Sequence, residues 1–302
     1  MDNIFRTEAL RGGMFRWLSI LFMAVAFSVG ATAQQGLKIS ELMYQPRSGE
    51  AEWVELYNDS GAEVELSDYC IVRVLHDTLS TRYPLPAGRV AAHDYVVLTK
   101  DAASVVANRD VRYVTKMVEC NLPAYPNAGG AVVLCTTSGD TLEWFVYSPS
   151  MHSPMLHNTA GVSLERRDFG RDVNAAGNWF SASSTSGYGT PGYANSQSAE
   201  WLVAETEFEF SSDVVSPDGD GYQDVLVISY AMNRGDLMAD VAVYNAGGIQ
   251  VAQLLDAAVL GSHGVVEWDS RDVPQGRYVV VITVYDRGGR RQIVRRAVAV
   301  MR

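Results

Sequence analysis

From residue 37 onward, apolar and polar positions alternate in short runs rich in Val, Ile, Tyr and Trp, broken by clusters of Gly, Pro, Asn and Asp. A period of two places successive side chains on opposite faces of an extended chain, so these runs predict half-buried strands. Seven are expected in the first half: 37–43, 52–58, 69–75, 94–100, 131–136, 142–147 and 162–167. Asn58-Asp59-Ser60-Gly61 and Ser138-Gly139-Asp140 supply the turn chemistry between them. No run has a convincing helical period.

The pattern then changes. Residues 181–199 are dominated by Ser, Gly, Thr, Asn and Ala, punctuated by Thr190-Pro191-Gly192. Such a stretch has little apolar material to anchor it, so a domain boundary is expected near Ser196 and proteolytic cutting between Gly187 and Glu200. Alternation resumes at 201–210 and continues at 225–232, 240–245, 249–255, 264–268, 277–286 and 291–301, with Asn245–Gly248 and Asp286–Gly289 as hairpin turns. A chain of 302 residues exceeds a usual single core. The pattern therefore predicts an all-β protein of two tandem sandwiches: 34–195, a linker at 196–200, and 201–302.

The first 33 residues read as a signal peptide. Arg6, Arg11 and Arg16 precede an apolar run from Trp17 to Gly30, and Ala31-Thr32-Ala33 closes it with a small-residue cleavage signature. The run falls short of the roughly 20 residues a span needs, and Gln34 offers no thiol for a lipid anchor. The mature chain, with no further apolar span, is expected outside the cell or on its outer surface, the periplasm being the alternative.

Charge and chemistry narrow the function. A net charge of −11 argues against a nucleic-acid binder with a broad basic face. The three cysteines, Cys70, Cys120 and Cys135, cannot all pair. Cys120 and Cys135 flank the Pro/Gly-rich stretch 121–130 and are a candidate disulfide, the alternative being small buried hydrophobes. No nucleophile elbow, HExxH, P-loop or dinucleotide glycine pattern occurs. His152 and His157 form the one close histidine pair, in a Pro-containing loop without a neighbouring carboxylate, while His76, His93 and His263 lie beside turns as surface residues. The expectation is no enzyme.

One cluster has a metal logic. Asp218, Asp220, Tyr222 through its carbonyl, and Asp224 occupy positions 1, 3, 5 and 7 of a loop, as in the first half of a calcium loop. Position 6 is Gln223 instead of glycine and position 12 is Ser229, so further ligands must come from water or from elsewhere, Asp213 being the nearest candidate. The same residues equally suit a plain Asp/Gly turn.

Two resemblances sharpen the picture. Glu41, Tyr44, Glu52, Trp53, Glu55, Leu56 and Asn58, followed by LPAGRVAAHDYVVLTK, VSLERRD and an ending NWFSASSTSGYGTPGYAN, resemble the lamin tail domain, an immunoglobulin-like sandwich, over about 37–195. Trp53, Tyr57 and Trp179 are expected to be packing groups, with Glu52 and Glu55 on opposite strand faces. From Trp201 to Arg302 the chain is similar to FlgD-like C-terminal immunoglobulin-like modules, through Ser216, Pro217, Gly219, Asp220, Gly221, Asp224, Tyr244, Gly247, Gly264, Trp268, Asp269, Gly276 and Tyr278. It departs from them at Ser270, where that family often has glycine.

The resemblances imply a secreted or cell-surface scaffold that binds a protein or a surface polysaccharide and catalyses nothing. Two alternatives accompany it. One is a cargo or accessory of a type IX-like outer-membrane secretion system, with the C-terminal domain as sorting element. The other is an accessory module of a secreted nuclease or phosphatase system. Arg287, Arg290, Arg291, Arg295, Arg296 and Arg302 make the last hairpin basic, either as a receptor-read signal or as solvated edge positions.

Overall fold

Two packed sheets account for the alternation in the first half of the chain. The computed structural model describes residues 36–75 and 78–302; the expected leader 1–33, the cleavage point before Gln34, and His76 lie outside the described residues. A six-stranded sheet runs in the order Trp179–Ser181, Leu164–Arg166, Leu37–Met43, Trp53–Asn58, Tyr95–Thr99 and Met117–Glu119. Facing it is a four-stranded sheet of Thr141–Tyr147, Gly130–Thr136, Tyr69–Leu75 and Thr78–Pro84. Leu42, Val54 and Leu56 from the first sheet meet Ile71, Leu134 and Phe145 from the second in one core. Trp179 closes that core by stacking on Phe145 at 3.8 Å.

The second half forms another pair of sheets. Glu207–Phe210, Val225–Ala231 and His263–Asp269 make one. Val214–Val215, Arg291–Val300, Gly276–Tyr285, Leu237–Asn245 and Gln250–Leu260 make the other. Their inward residues, Ile228, Trp268, Val280, Ile282 and Val298 among them, pack into a second core. The all-β expectation holds, and among the described residues no helix is long and apolar enough to cross a membrane.

Some boundaries differ for physical reasons. The run expected as a strand from Trp201 is extended only at Glu207–Phe210, because Ala199–Trp201 closes a 3-10 turn capped by Ser198. Short strands at Met117–Glu119 and Trp179–Ser181 carry too few residues for a period of two to show. The segment Ala102–Asn108 is a two-turn helix, capped by Asp101 accepting from the Ser104 amide at 2.9 Å.

The Ser/Gly/Asn-rich stretch departs most from expectation. Thr190, Asn195 and Gln197 are 1%, 2% and 0% exposed, and the described residues pack as one compact unit. The Gln197 side-chain amide donates to Ser181 O and to Leu260 O, both at 2.9 Å, joining the two sandwiches. Ser262 donates its amide to Ser196 O at 2.7 Å and its hydroxyl to Ser198 O at 2.7 Å. Hydrogen bonds of small polar groups tie this segment down where apolar contacts are lacking.

Candidate functional site

The expected metal loop is where the sequence places it. The Asp218, Asp220 and Asp224 carboxylates bring ligand oxygens within 4.8 Å of one another on an exposed loop. They also hold the loop's own backbone. Asp224 accepts from the Gly219 and Gly221 amides at 2.7 and 2.8 Å, Asp220 from the Tyr222 amide at 2.7 Å, and Asp218 from the Asp220 amide at 3.2 Å. Gly219 and Gly221 have φ of 84° and 87°, which the tight turns demand. Asp213 lies outside this cluster and pairs instead with Arg296, at 2.7 and 3.0 Å.

The cysteines fall out differently from the proposed pairing. All three are free thiols. Cys135 lies directly across from Cys70 on the neighbouring strand, and both are buried on the outer side of the four-stranded sheet with Val72 and Val133. Cys120 packs instead against the first core. The candidate Cys120–Cys135 bridge is therefore not formed, because the two side chains belong to different apolar clusters. His152, in the Pro-containing loop, is buried: its Nδ1 lies 2.9 Å from Ser181 Oγ, and burial pushes its pKa down to about 4.

A site that composition hides lies on the outer face of the six-stranded sheet. Glu41 stands opposite Glu165 on one neighbouring strand and opposite Glu55 on the other, so three carboxylates form a row across three strands. A β-bulge at Ser40 turns that hydroxyl to the same row, 2.9 Å from Glu55 Oε1. All three glutamates are fully buried. Residues 189–197 roof them as a strap. The Thr190 amide donates to Glu41 at 3.0 Å, the Gly192 amide to Glu55 at 2.6 Å, and the Gln197 amide to Glu165 at 2.9 Å. Burial first, and then a neighbouring carboxylate, push Glu41 up to about 8 and Glu55 well above the usual carboxylate range; burial also raises Glu165.

The strap is clamped by a residue that carries no sequence signal. Arg109 donates to Glu50 through Nε at 2.5 Å and Nη2 at 3.0 Å, to Tyr188 O at 3.0 Å and Gly187 O at 3.3 Å through Nη1, and to Gly161 O at 2.9 Å through Nη2. Its five N–H groups are thus all engaged.

Above the strap, between the sandwiches, is a cleft of about 420 Å³. Thr190, Ser196 and Tyr193 contribute from the strap, Arg112 from the first sandwich, Trp201 from the 3-10 turn, and His263 and Val265 from the second sandwich. Arg112 lies over the Tyr193 ring at 4.1 Å, and Trp201 meets His263 at 4.8 Å while remaining 43% exposed.

The Glu41, Glu55 and Trp53 positions of this sandwich are those that resemble the lamin tail domain, and the family comparison agrees. Residues 30–149 match the Lamin Tail Domain family. The sandwich continues past that match, since Leu164–Arg166 and Trp179–Ser181 belong to the same sheet and the strap covers the domain's own glutamates. Trp53 and Trp179 are buried packing groups, and Tyr57 stacks on Phe169 at 4.4 Å. A search of curated proteins finds no significant match. Among solved structures, the chain is similar to dimeric latent PorU from Porphyromonas gingivalis, at 10% identity and a TM-score of 0.26, covering 88% of this chain and 20% of that one. It is also similar to PorZ, a surface component of the type-IX secretion system of the same bacterium, at 11% identity and a TM-score of 0.23, covering 88% of this chain and 39% of that one. Red sea bream transglutaminase gives 11% identity and a TM-score of 0.21, covering 89% and 32%. The chain spans under two-fifths of each of these proteins, and none of the superpositions reaches the level of a shared fold.

Proposed function

We propose that the protein is a non-catalytic binding or scaffolding module, exported to the cell surface, that seats its partner in the cleft between its two sandwiches. One observation supports this most. The only row of carboxylates with strongly shifted pKa values among the described residues, which would be the natural acid–base candidate, is sealed from solvent and wholly engaged by the strap. The exposed chemistry lies in the cleft instead. Aromatic and hydroxyl groups with few charges suit a polysaccharide or an aromatic-rich protein segment from the cell envelope. The FlgD-like reading of the second sandwich rests on its sequence motifs alone. Four of its terminal arginines are occupied internally, Arg287 by Asp236, Arg290 by Asp286, Arg296 by Asp213 and Arg302 by the Arg271 and Val273 carbonyls, which favours a structural part over a free sorting signal.

Binding of envelope polysaccharide and envelope protein fractions to the mature protein, measured beside a Trp201→Ala variant, tests the cleft. The variant is expected to bind at least about tenfold more weakly, the loss of one stacked aromatic in a desolvated contact, with an unchanged melting temperature. Equal binding by both proteins removes the cleft from consideration.

Calcium is a second proposal, carried by the convergence of Asp218, Asp220 and Asp224; the Tyr222 carbonyl completes the set. The amide-bonded carboxylates retain lone pairs for a hard cation, and an extracellular site of this kind has a Kd of roughly 10⁻⁴ to 10⁻³ M. At ten times Kd the native state gains about 1.4 kcal/mol, a rise of about 3–5 °C in Tm. Identical melts in millimolar calcium and in chelator, for wild type and Asp220→Ala alike, leave the loop a simple turn.

A further inference from the structure

We propose that the Glu41–Glu55–Glu165 row stores protons in the folded protein, and that the strap 189–197 is consequently a pH-sensitive latch, seated in mild acid and loosened as the medium turns alkaline. The case rests on counting hydrogens. Thr190 Oγ1 lies 3.1 Å from Glu41 Oε2, 2.9 Å from Glu165 Oε1 and 3.4 Å from Asn195 Oδ1. A hydroxyl has one proton to give. Asn195 has none to return on that side, because its amide nitrogen donates to Ser40 O at 3.0 Å and Arg166 O at 2.8 Å, which fixes Oδ1 as the acceptor facing Thr190. Unless one carboxyl is protonated and donates to Thr190, two acceptors stand in buried contact.

The same shortage recurs twice. Ser40 Oγ lies 2.9 Å from Glu55 and 3.3 Å from Asn195 Oδ1. Ser163 Oγ is in short contact with Glu41 and 3.3 Å from Tyr188 O. Protonated Glu41 and Glu55 resolve both, each donating to a hydroxyl that passes its own hydrogen on.

No cation replaces those protons. Among the described residues no ion pair reaches the row. The basic groups that touch the strap and its approach are committed: Arg109 to Glu50, Lys116 to Asp94 at 2.5 Å and Gly192 O at 2.8 Å, and Arg112 to the Tyr193 ring. The other titratable groups facing the row are Tyr95, on the strand beside Glu55, and Tyr193 on the strap; burial raises both, so neither carries charge in the neutral range.

The sign follows. Carboxyls whose folded pKa is raised contribute stability that is complete below their unfolded value near 4.5 and is lost as pH rises through the folded value, about 8 for Glu41. Ionisation then places like charges opposite one another in a dry interior. The cheapest escape is to lift the strap, which exposes the row to water and remodels the cleft floor that Thr190 and Ser196 form.

Hydrogen–deuterium exchange of the intact mature protein between pH 5.5 and 8.5, corrected for intrinsic base catalysis, reads the latch. Protection of the strap peptide in the wild type is expected to fall by up to about tenfold per pH unit for each proton released. In Glu41→Gln, which keeps the shape and removes one titration, the fall is shallower by up to one proton. Infrared spectra at pH 6.5 should show the carbonyl stretch of a buried carboxylic acid in the wild type, weakened in Glu41→Gln. If that variant does not fold, Glu165→Gln and the wild-type spectrum carry the test. No acid band in the wild type, or strap protection independent of pH, overturns the proposal.

Discussion

Arg109→Ala is expected to destabilise the protein by about 3–5 kcal/mol, the cost of leaving a buried charge without its partner. The Arg109 and Glu50 side chains are 2% and 0% exposed, so solvent screens neither. Removing the guanidinium strands the Glu50 carboxylate, which retains only the Arg47 amide at 3.1 Å and the Trp53 indole at 3.4 Å. It also takes the Nη2 donor from the Gly161 carbonyl and leaves the Gly187 and Tyr188 carbonyls to their remaining donors, Arg47 at 3.4 Å and the Ser163 amide at 3.1 Å. Arg109→Lys keeps the charge but cannot reproduce a planar five-donor fork, and a loss of about half the alanine value is expected. Adding Glu50→Gln to Arg109→Ala removes the stranded charge and should recover part of it. Urea melts of the four proteins measure these values. A loss below about 1 kcal/mol for Arg109→Ala would mean that water enters and solvates Glu50.

Why Arg109 escaped the sequence, while the sheets did not, is instructive. The strands were legible because alternation is a local signal: Ile228, Trp268, Val280 and Ile282 each announce a buried face within a few residues. The same alternation sends Glu41, Glu55 and Glu165 to the outer face, and in an isolated sheet that face is wet. Their roof comes from Thr190–Gln197, about 150 residues after Glu41, in a segment whose Ser, Gly and Asn content reads as a linker. Backbone amides and small hydroxyls bury such a segment without any hydropathy signal, and only topology brings them over the row. The lamin-tail-like motif pieces around Glu41, Glu55 and Thr190-Pro191-Gly192 were each visible in the sequence, whereas their meeting in one hydrogen-bonded cluster was not. Arg109 sits in the loop after a short helix, where one more arginine in a polar run is unmarked. The aspartate loop was placed correctly because a turn is as local as a strand.

The strap's other end yields the second large effect. Gln197→Ala is expected to cost about 2–4 kcal/mol, since the carbonyls of Ser181 and Leu260 each lose their donor in the interior, at roughly 1–3 kcal/mol apiece. Gly261→Ala should act on the same junction from the opposite side. A Cβ there would lie 2.7 Å from the Ser196 carbonyl oxygen, so the Ser196–Ser262 backbone contact would have to part. Because these bonds couple two cores that otherwise pack separately, the wild type should melt in a single calorimetric transition, with each variant resolving into two. The same logic reverses the behaviour that a Ser/Gly-rich stretch suggests to a protease. Native protein should resist cleavage between Gly187 and Glu200, and Gln197→Ala should be cut there first. Two separate transitions in the wild type, or rapid nicking of that stretch in the native protein, would show that the buried polar junction does not bind the sandwiches into one cooperative unit.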